Sequence, residues 1–254
     1  SPDAPHFTPM TIPPRGLSSE QEAIIEPGQF FNWNHNRANH TIPQACVLTW
    51  MTDAVERAVQ AGRARWIGKM SFAFHAYPVA ALWVRGHGEV AVACCPIGAP
   101  GSAMVMENMI ALGSEAFIGA GSCGDLAGHS QDTYIVVAAA LRDEGTSQHY
   151  QPEQPWAWVD NDARAALSDA LAHEGAAWVG APTWTTDAMF RETAGKVAAI
   201  RKTFGCEVVE MECAALASVA AYREVPFGQV LYPQDSLVAA VDGETWRHGR
   251  GTGA

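Results

Sequence analysis

Cys206-Glu207-Val208-Val209-Glu210-Met211-Glu212-Cys213-Ala214-Ala215-Leu216-Ala217 reads as a short buried strand that runs straight into a helix. The helical part is apolar on nearly every face, with Ala214, Ala215, Leu216, Ala217, Val219, Ala220 and Ala221. A helix of that kind belongs inside a protein. Glu210 and Glu212 therefore flank Met211 at the mouth of a core helix. Burying a carboxylate is costly unless something pairs with it. The free N–H groups and dipole of the helix N-terminus compensate in part. A polar ligand, such as a pair of sugar hydroxyls, would supply the rest. Local physics leaves a second reading open, in which both are first-turn glutamates facing solvent.

Outward from this stretch, strand and helix patterns alternate. Residues 23–28 read as a first short strand and 48–61 as a helix ended by Gly62. Residues 79–85 and 90–95 bracket Gly86-His87-Gly88 as a hairpin. Pro96-Ile97-Gly98-Ala99-Pro100-Gly101-Ser102 opens a helix over 103–112. A buried strand over 116–120 enters a glycine-rich loop, Gly121-Ser122-Cys123-Gly124-Asp125. Residues 134–141 form a strand, 162–174 an amphipathic helix and 177–180 a strand. Thr185-Thr186-Asp187 caps a helix reaching 204, with Gly205 after it, and 227–232 is the last strand. The order is that of an α/β protein whose helices cover a largely buried sheet. The alternation is unbroken, so residues 1–254 read as a single domain, with 1–20 an extension and 243–254 a loosely ordered tail.

With 254 residues, 48% hydrophobic and 17% charged, the chain can bury a sizeable core. The formal net charge of −11 argues against nucleic acid or an anionic membrane as the main partner. No apolar run is long enough to span a bilayer, and Ser1-Pro2-Asp3-Ala4-Pro5-His6 is not a signal peptide. Cys46, Cys94, Cys95, Cys123, Cys206 and Cys213 lack metal-ligand or disulfide spacing and read as small buried residues of a reducing, cytoplasmic compartment. His35 and His40 have no acidic or Cys neighbour to complete a metal site, and no metal is expected.

Four polar clusters fall at strand ends: 121–125, 142–150, Glu210 with Glu212, and Gln234-Asp235-Ser236. In open α/β sheets, ligands gather at such ends. The glycine loop could hold an anion on backbone N–H groups and the Ser122 hydroxyl, though it is equally a tight turn. Cys123 with His129 has no orienting group for a thiol nucleophile. Glu210 and Glu212 are two apart and point in different directions, which does not suit a paired-carboxylate glycosidase.

Pro96-Ile97-Gly98-Ala99-Pro100, Phe117-Ile118-Gly119-Ala120-Gly121-Ser122-Cys123-Gly124, residues 142–150, Trp184-Thr185-Thr186-Asp187, Arg191-Glu192-Thr193 and Val209-Glu210-Met211-Glu212 occur in one order. Together they resemble the nucleoside phosphorylase superfamily, with uridine phosphorylase-like members most similar. The resemblance covers roughly residues 20–240. It implies a three-layer α/β/α sandwich with a central twisted mixed β-sheet, assembled as a homodimer or higher homo-oligomer with shared active sites. It implies cleavage of a nucleoside by inorganic phosphate to free base and pentose 1-phosphate, with no other cofactor. A phosphate-independent nucleosidase and a catalytically weak nucleoside-binding protein are the alternatives.

By the same resemblance, Glu212 binds the ribose hydroxyls, Met211 packs on the sugar and Glu210 lies beside it. Gly121 and Ser122 take the phosphate. Phe190 or Met189 lies near the base, with Arg191 close by. Asp235 stands where a carboxylate protonates a leaving purine. His6 would reach a neighbour's sugar. The pattern departs from the family in three places. Gly119 replaces an arginine, the early Gly-Asp-Pro-x-Arg motif is reduced to Ile25-Glu26-Pro27-Gly28-Gln29, and the uracil-reading Gln-x-Arg has no match after Phe190. Charge-assisted bonds to phosphate are each worth roughly 1.5–3 kcal/mol, so two lost guanidiniums matter. Arg142, Arg191, or His75 of a neighbouring subunit are the candidates to compensate.

Overall fold

The computed structural model describes residues 23–27, 32–33, 42–72, 75–241 and 246. Its strands are β1 (Asn32–Trp33), β2 (Ala45–Thr49), β3 (Ala64–Phe72), β4 (His75–Val84), β5 (Gly88–Cys94), β6 (Ala116–Asp125), β7 (Tyr134–Asp143), β8 (Trp156–Trp158), β9 (Trp178–Thr186), β10 (Val208–Glu210) and β11 (Phe227–Ser236). The helices are α1 (Thr52–Gln60), α2 (Ala99–Ala111), α3 (Asn161–His173), α4 (Ala194–Phe204), α5 (Cys213–Arg223) and the single turn α6 (Val238–Val241). This is the mixed α/β architecture expected.

The strands form one mixed sheet in the order β1-β3-β4-β5-β2-β6-β10-β9-β7-β11. β11 also pairs with β6, so five strands, β6, β10, β9, β7 and β11, close into a ring. The closure matters for the site. β2, β6 and β11 run parallel to one another, whereas β10 is antiparallel to β6 and β7 is antiparallel to β11. The carboxyl ends of the strands therefore do not share one edge, contrary to the open-sheet expectation. The register Val208↔Asp125 and Val209↔Gly124 instead carries Glu210 back alongside the glycine stretch of β6.

Several elements differ from their sequence reading. The segment 121–125 is no loop: it is the second half of β6, laddered to both β10 and β11. Its glycines admit close neighbours, since a Cβ on Gly124 would meet Leu237 and Val209 at 2.8 and 2.9 Å. The stretch 48–61 is divided, because Cys46-Val47-Leu48 is sandwiched between β5 and β6 as a strand and the helix begins only at Thr52. Residues 23–26 are exposed and lie in no strand. β9 runs on through Thr186, and α4 is capped by Thr193, whose Oγ1 accepts from the Lys196 N–H at 3.3 Å. β11 continues past a bulge between Pro233 and Asp235. His6, His35, His40, Gly28, Gln29, residues 1–20 and 243–254 (Trp246 excepted) lie outside the described residues. Among those described, no helix is long and apolar enough to cross a membrane.

Helix α5 is buried along nearly its whole length, from Cys213 to Ala220. Its end is tied to α2 by Arg223, whose Nε donates to Glu107 Oε2 at 2.7 Å. The residue after it, Glu224, adopts the left-handed conformation (φ 56°) that favours glycine. Glu224→Gly should therefore raise stability by about 1 kcal/mol, read as a higher denaturation midpoint in urea with an unchanged slope.

Candidate active site

The site starts from Glu210 at the end of β10. Its Oε1 accepts from Thr185 Oγ1 at 2.5 Å and Thr183 Oγ1 at 3.4 Å, both on β9. Its Oε2 accepts from the backbone N–H groups of Glu212 at 2.7 Å and Cys213 at 2.6 Å. Thr185 Oγ1 accepts from the Ala214 N–H at 3.0 Å. Three first-turn N–H groups of α5 thus find partners inside the protein. Glu210 is neither solvent-facing nor available to a ligand; it is the cap of the buried helix.

Glu212 is also buried, and its Oε1 accepts from the Gly98 N–H at 2.6 Å. Burial pushes both carboxyls up, and Glu210 then raises Glu212 further, to about 8. Glu210 has four donors and Glu212 has backbone donors from Gly98 and Met211, so of the pair Glu212 is the better placed to hold a proton. Met211 between them is half-buried. The turn that holds Glu212 also holds Trp50, whose Nε1 donates to Pro96 O and Ser102 Oγ at 3.0 Å each. The Trp50 ring lies against Gly121, the residue expected at the phosphate. Ser122 is half-buried, and no hydrogen bond of its hydroxyl is found among the described residues.

At the end of β6, Asp125 ties the strand ends together. Its carboxylate accepts from the N–H groups of Ala127, Gly128 and His129 and from Ser236 Oγ. Next to Ser236, Asp235 Oδ2 accepts from Trp246 Nε1 at 3.2 Å, and Oδ1 sits 3.4 Å from where a Gly124 Cβ would stand. Glu192 belongs with it. Burial first, then Asp235, push the Glu192 carboxyl up to about 7, against the opposing charge of Lys196. A carboxyl that titrates near neutrality beside Asp235 is suited to proton exchange.

Arg142 does not fill the phosphate role that the resemblance offered it. It is buried and donates to Ser147 Oγ and to the carbonyls of Gln151, Pro152 and Gln154. Its neighbours are equally committed. Asp143 Oδ2 meets Lys196 Nζ at 2.6 Å and Trp184 Nε1 at 2.9 Å, and Glu144 accepts from the Thr146 and Ser147 N–H groups. The 142–150 cluster is a loop anchor, tied to its own backbone and to Lys196, Trp184 and Asp187. Met189, Phe190 and Arg191 form an exposed 3₁₀ turn, with Phe190 92% exposed. His75 is exposed at the start of β4, separated from β6 by β5 and β2.

Residues 46–248 match the profile of the phosphorylase superfamily. The chain belongs to that superfamily. It is 27% identical over 152 residues to a guanosine phosphorylase of Halorubrum lacusprofundi, covering 59% of this chain and 63% of that one. It is 31% identical over 102 residues to a uridine phosphorylase of Thermococcus kodakarensis, covering 40% and 37%. These matches thus span less than two thirds of either relative. The fold is that of a purine nucleoside phosphorylase from Toxoplasma gondii in complex with immucillin-H (TM-score 0.72, 20% identity, 84% of each chain). It is also that of a uridine phosphorylase from Vibrio fischeri (TM-score 0.68, 20% identity, 80% and 83%).

The superfamily match begins at Cys46 in β2, after residues 25–29. Gly98 and Glu192 lie in motifs whose spacing gives them no role, and Gln229, inside an apolar strand, carries no signal beyond being polar there.

Two measurements probe the carboxylates. Glu210→Ala orphans two N–H groups and the Thr185 hydroxyl and should cost roughly 3 kcal/mol in urea denaturation, with Thr185→Val costing less. The unfolded chain releases the Glu212 proton near 4.5 and the folded chain near 8, so the folded state holds an extra proton between those values. That contribution to stability is fully present below 4.5 and declines as pH rises to 8. The melting temperature of the wild type should therefore fall across this window relative to that of Glu212→Gln, which carries no such proton.

Proposed function

We propose that the protein is a nucleoside phosphorylase that transfers the pentosyl group of a nucleoside to inorganic phosphate. One observation carries the reading: Glu212, buried at the head of an apolar helix and bonded to Gly98 at 2.6 Å, with superfamily membership around it. A carboxyl so desolvated gains most from a polar ligand, and the two hydroxyls of a ribose complement it. Protonated near neutrality, it both donates to one hydroxyl and accepts from the other.

In the reaction, the C1′–N bond breaks as positive charge builds on the sugar ring, and a phosphate oxygen forms the new bond to C1′. The base leaves with the electron pair and takes a proton. Asp235 delivers it, and Glu192 beside it replenishes it. Glu210 fixes the helix that carries Glu212, which is a positioning role. Met211 packs on the sugar, and Met189, Phe190 and Arg191 form the exposed wall toward the base. His75 and His6 act from a neighbouring subunit of a homo-oligomer. The six free, buried thiols suit the cytoplasm. No cofactor other than phosphate is required.

A second reading, hydrolysis, is favoured by two specific observations. Arg142 is committed to its own loop, and the glycine strand carries Gly119 where an arginine would reach the anion.

Inosine, guanosine, adenosine and uridine, each incubated with and without phosphate, decide between the two. Phosphorolysis gives pentose 1-phosphate in proportion to phosphate, and base release unchanged by phosphate establishes hydrolysis instead. Glu212→Ala should lower kcat/KM by about 3 kcal/mol, more than a hundredfold, while circular dichroism stays native. Near-normal turnover would remove Glu212 from the site.

A further inference from the structure

Gly119 and Gly121 lie two apart on β6 and face one side of the strand, about 7 Å from each other. Each is covered by a large side chain from a neighbouring segment. Gln229, the register partner of Gly119 on β11, folds its amide onto that glycine so closely that a Cβ there would overlap it. It is 1% exposed, and neither amide atom has a hydrogen-bond partner among the described residues. Trp50, just past β2, lays its six-membered ring on Gly121, with Cε3 and Cζ3 at 2.8 and 3.1 Å from the place of a Cβ.

The indole is latched. Its one donor is engaged by Pro96 O and Ser102 Oγ, and Ser102 Oγ donates in turn to Pro96 O at 2.8 Å. Gly98 of the same turn holds Glu212. The turn that latches the ring onto Gly121 is thus the same turn that holds Glu212. An aromatic face is electron-rich and offers an anion nothing. The next residue on that face of β6, Cys123, feels the charges of Glu210, Asp125 and Asp235. An anion approaching Gly121 meets carboxylates and a latched ring.

We propose that Trp50 determines acceptor specificity: inorganic phosphate reaches Gly121 only when the indole leaves, whereas water, small and uncharged, needs no such displacement. The proposal rests on the reading of this strand as the acceptor side of a pentosyl-transfer site.

Binding of inorganic phosphate to the full chain, measured by isothermal titration, tests it without relying on turnover. Trp50→Ala should bind phosphate at least about tenfold more tightly than the wild type, and Trp50→Phe, which keeps the bulk, should stay within about threefold. Ser102→Ala, which loosens the latch and leaves the ring in place, should shift the dissociation constant in the same direction by a smaller factor. In turnover, the KM for phosphate should fall in parallel with that Kd, while the KM for nucleoside stays within about twofold. Unchanged or weaker phosphate binding in both Trp50→Ala and Ser102→Ala, each native by circular dichroism, overturns the proposal, as does the absence of phosphate binding in every variant. Failure of the wild type to release base from any nucleoside, in phosphate or in water, would instead sink the nucleoside reading while the titration still decides the role of Trp50.

Discussion

One carboxylate holds the centre of this molecule together. Glu210 accepts from two threonine hydroxyls on β9 and from two backbone N–H groups at the start of α5. It therefore joins a strand, the strand it ends and a helix in a single group. The need for it follows from the helix itself. α5 is apolar on nearly all sides and buried, so water cannot serve its first N–H groups, and an anion at its N-terminus matches both those donors and the helix dipole. Everything near the site is oriented by that anchor.

The anchor also divides labour between two glutamates that look interchangeable in the sequence. Because Glu210 collects more of the donors, Glu212 is the better placed of the two to hold a proton. A second division runs through the loop after β7. Arg142, Asp143 and Glu144 look like a reactive cluster, yet each is engaged by its own neighbourhood: backbone carbonyls for the first, Lys196 and Trp184 for the second, two N–H groups for the third. The three carboxyls of the proposed reaction, Glu212, Asp235 and Glu192, are carried by a chain whose formal net charge is −11.

The sequence made α/β alternation legible because its buried strands and the all-apolar helix after Glu212 are strong local signals. The hairpin around Gly86-His87-Gly88, the amphipathic helix near 162–174 and the glycine after α4 could all be read from periodicity and turn chemistry. What escaped was set by tertiary pairing. Residues 121–125 carry two glycines and look like a loop, but strands on either side hold them extended. Leu48 and Thr49 merge with a helix-like pattern, and only pairing with β5 and β6 separates them from α1. The ring closure has no local signature at all, since it depends on β11 meeting both β6 and β7. For the same reason the commitment of Arg142 was invisible: its partners are carbonyls nine to twelve residues away, and a backbone acceptor has no residue-type signal.

The two covered glycines on β6 have an evolutionary consequence. Gln229 can occupy its place only while position 119 lacks a side chain, and Trp50 only while position 121 does. Each pair is thus a sign-epistatic unit. A lineage that gained a large residue at 119 would be selected against until 229 shrank, and the reverse order would leave a void in the interior. A guanidinium could return to this strand only by passing through one of those disfavoured intermediates. The present arrangement is therefore a local optimum with a barrier around it, held by volume and not by chemistry.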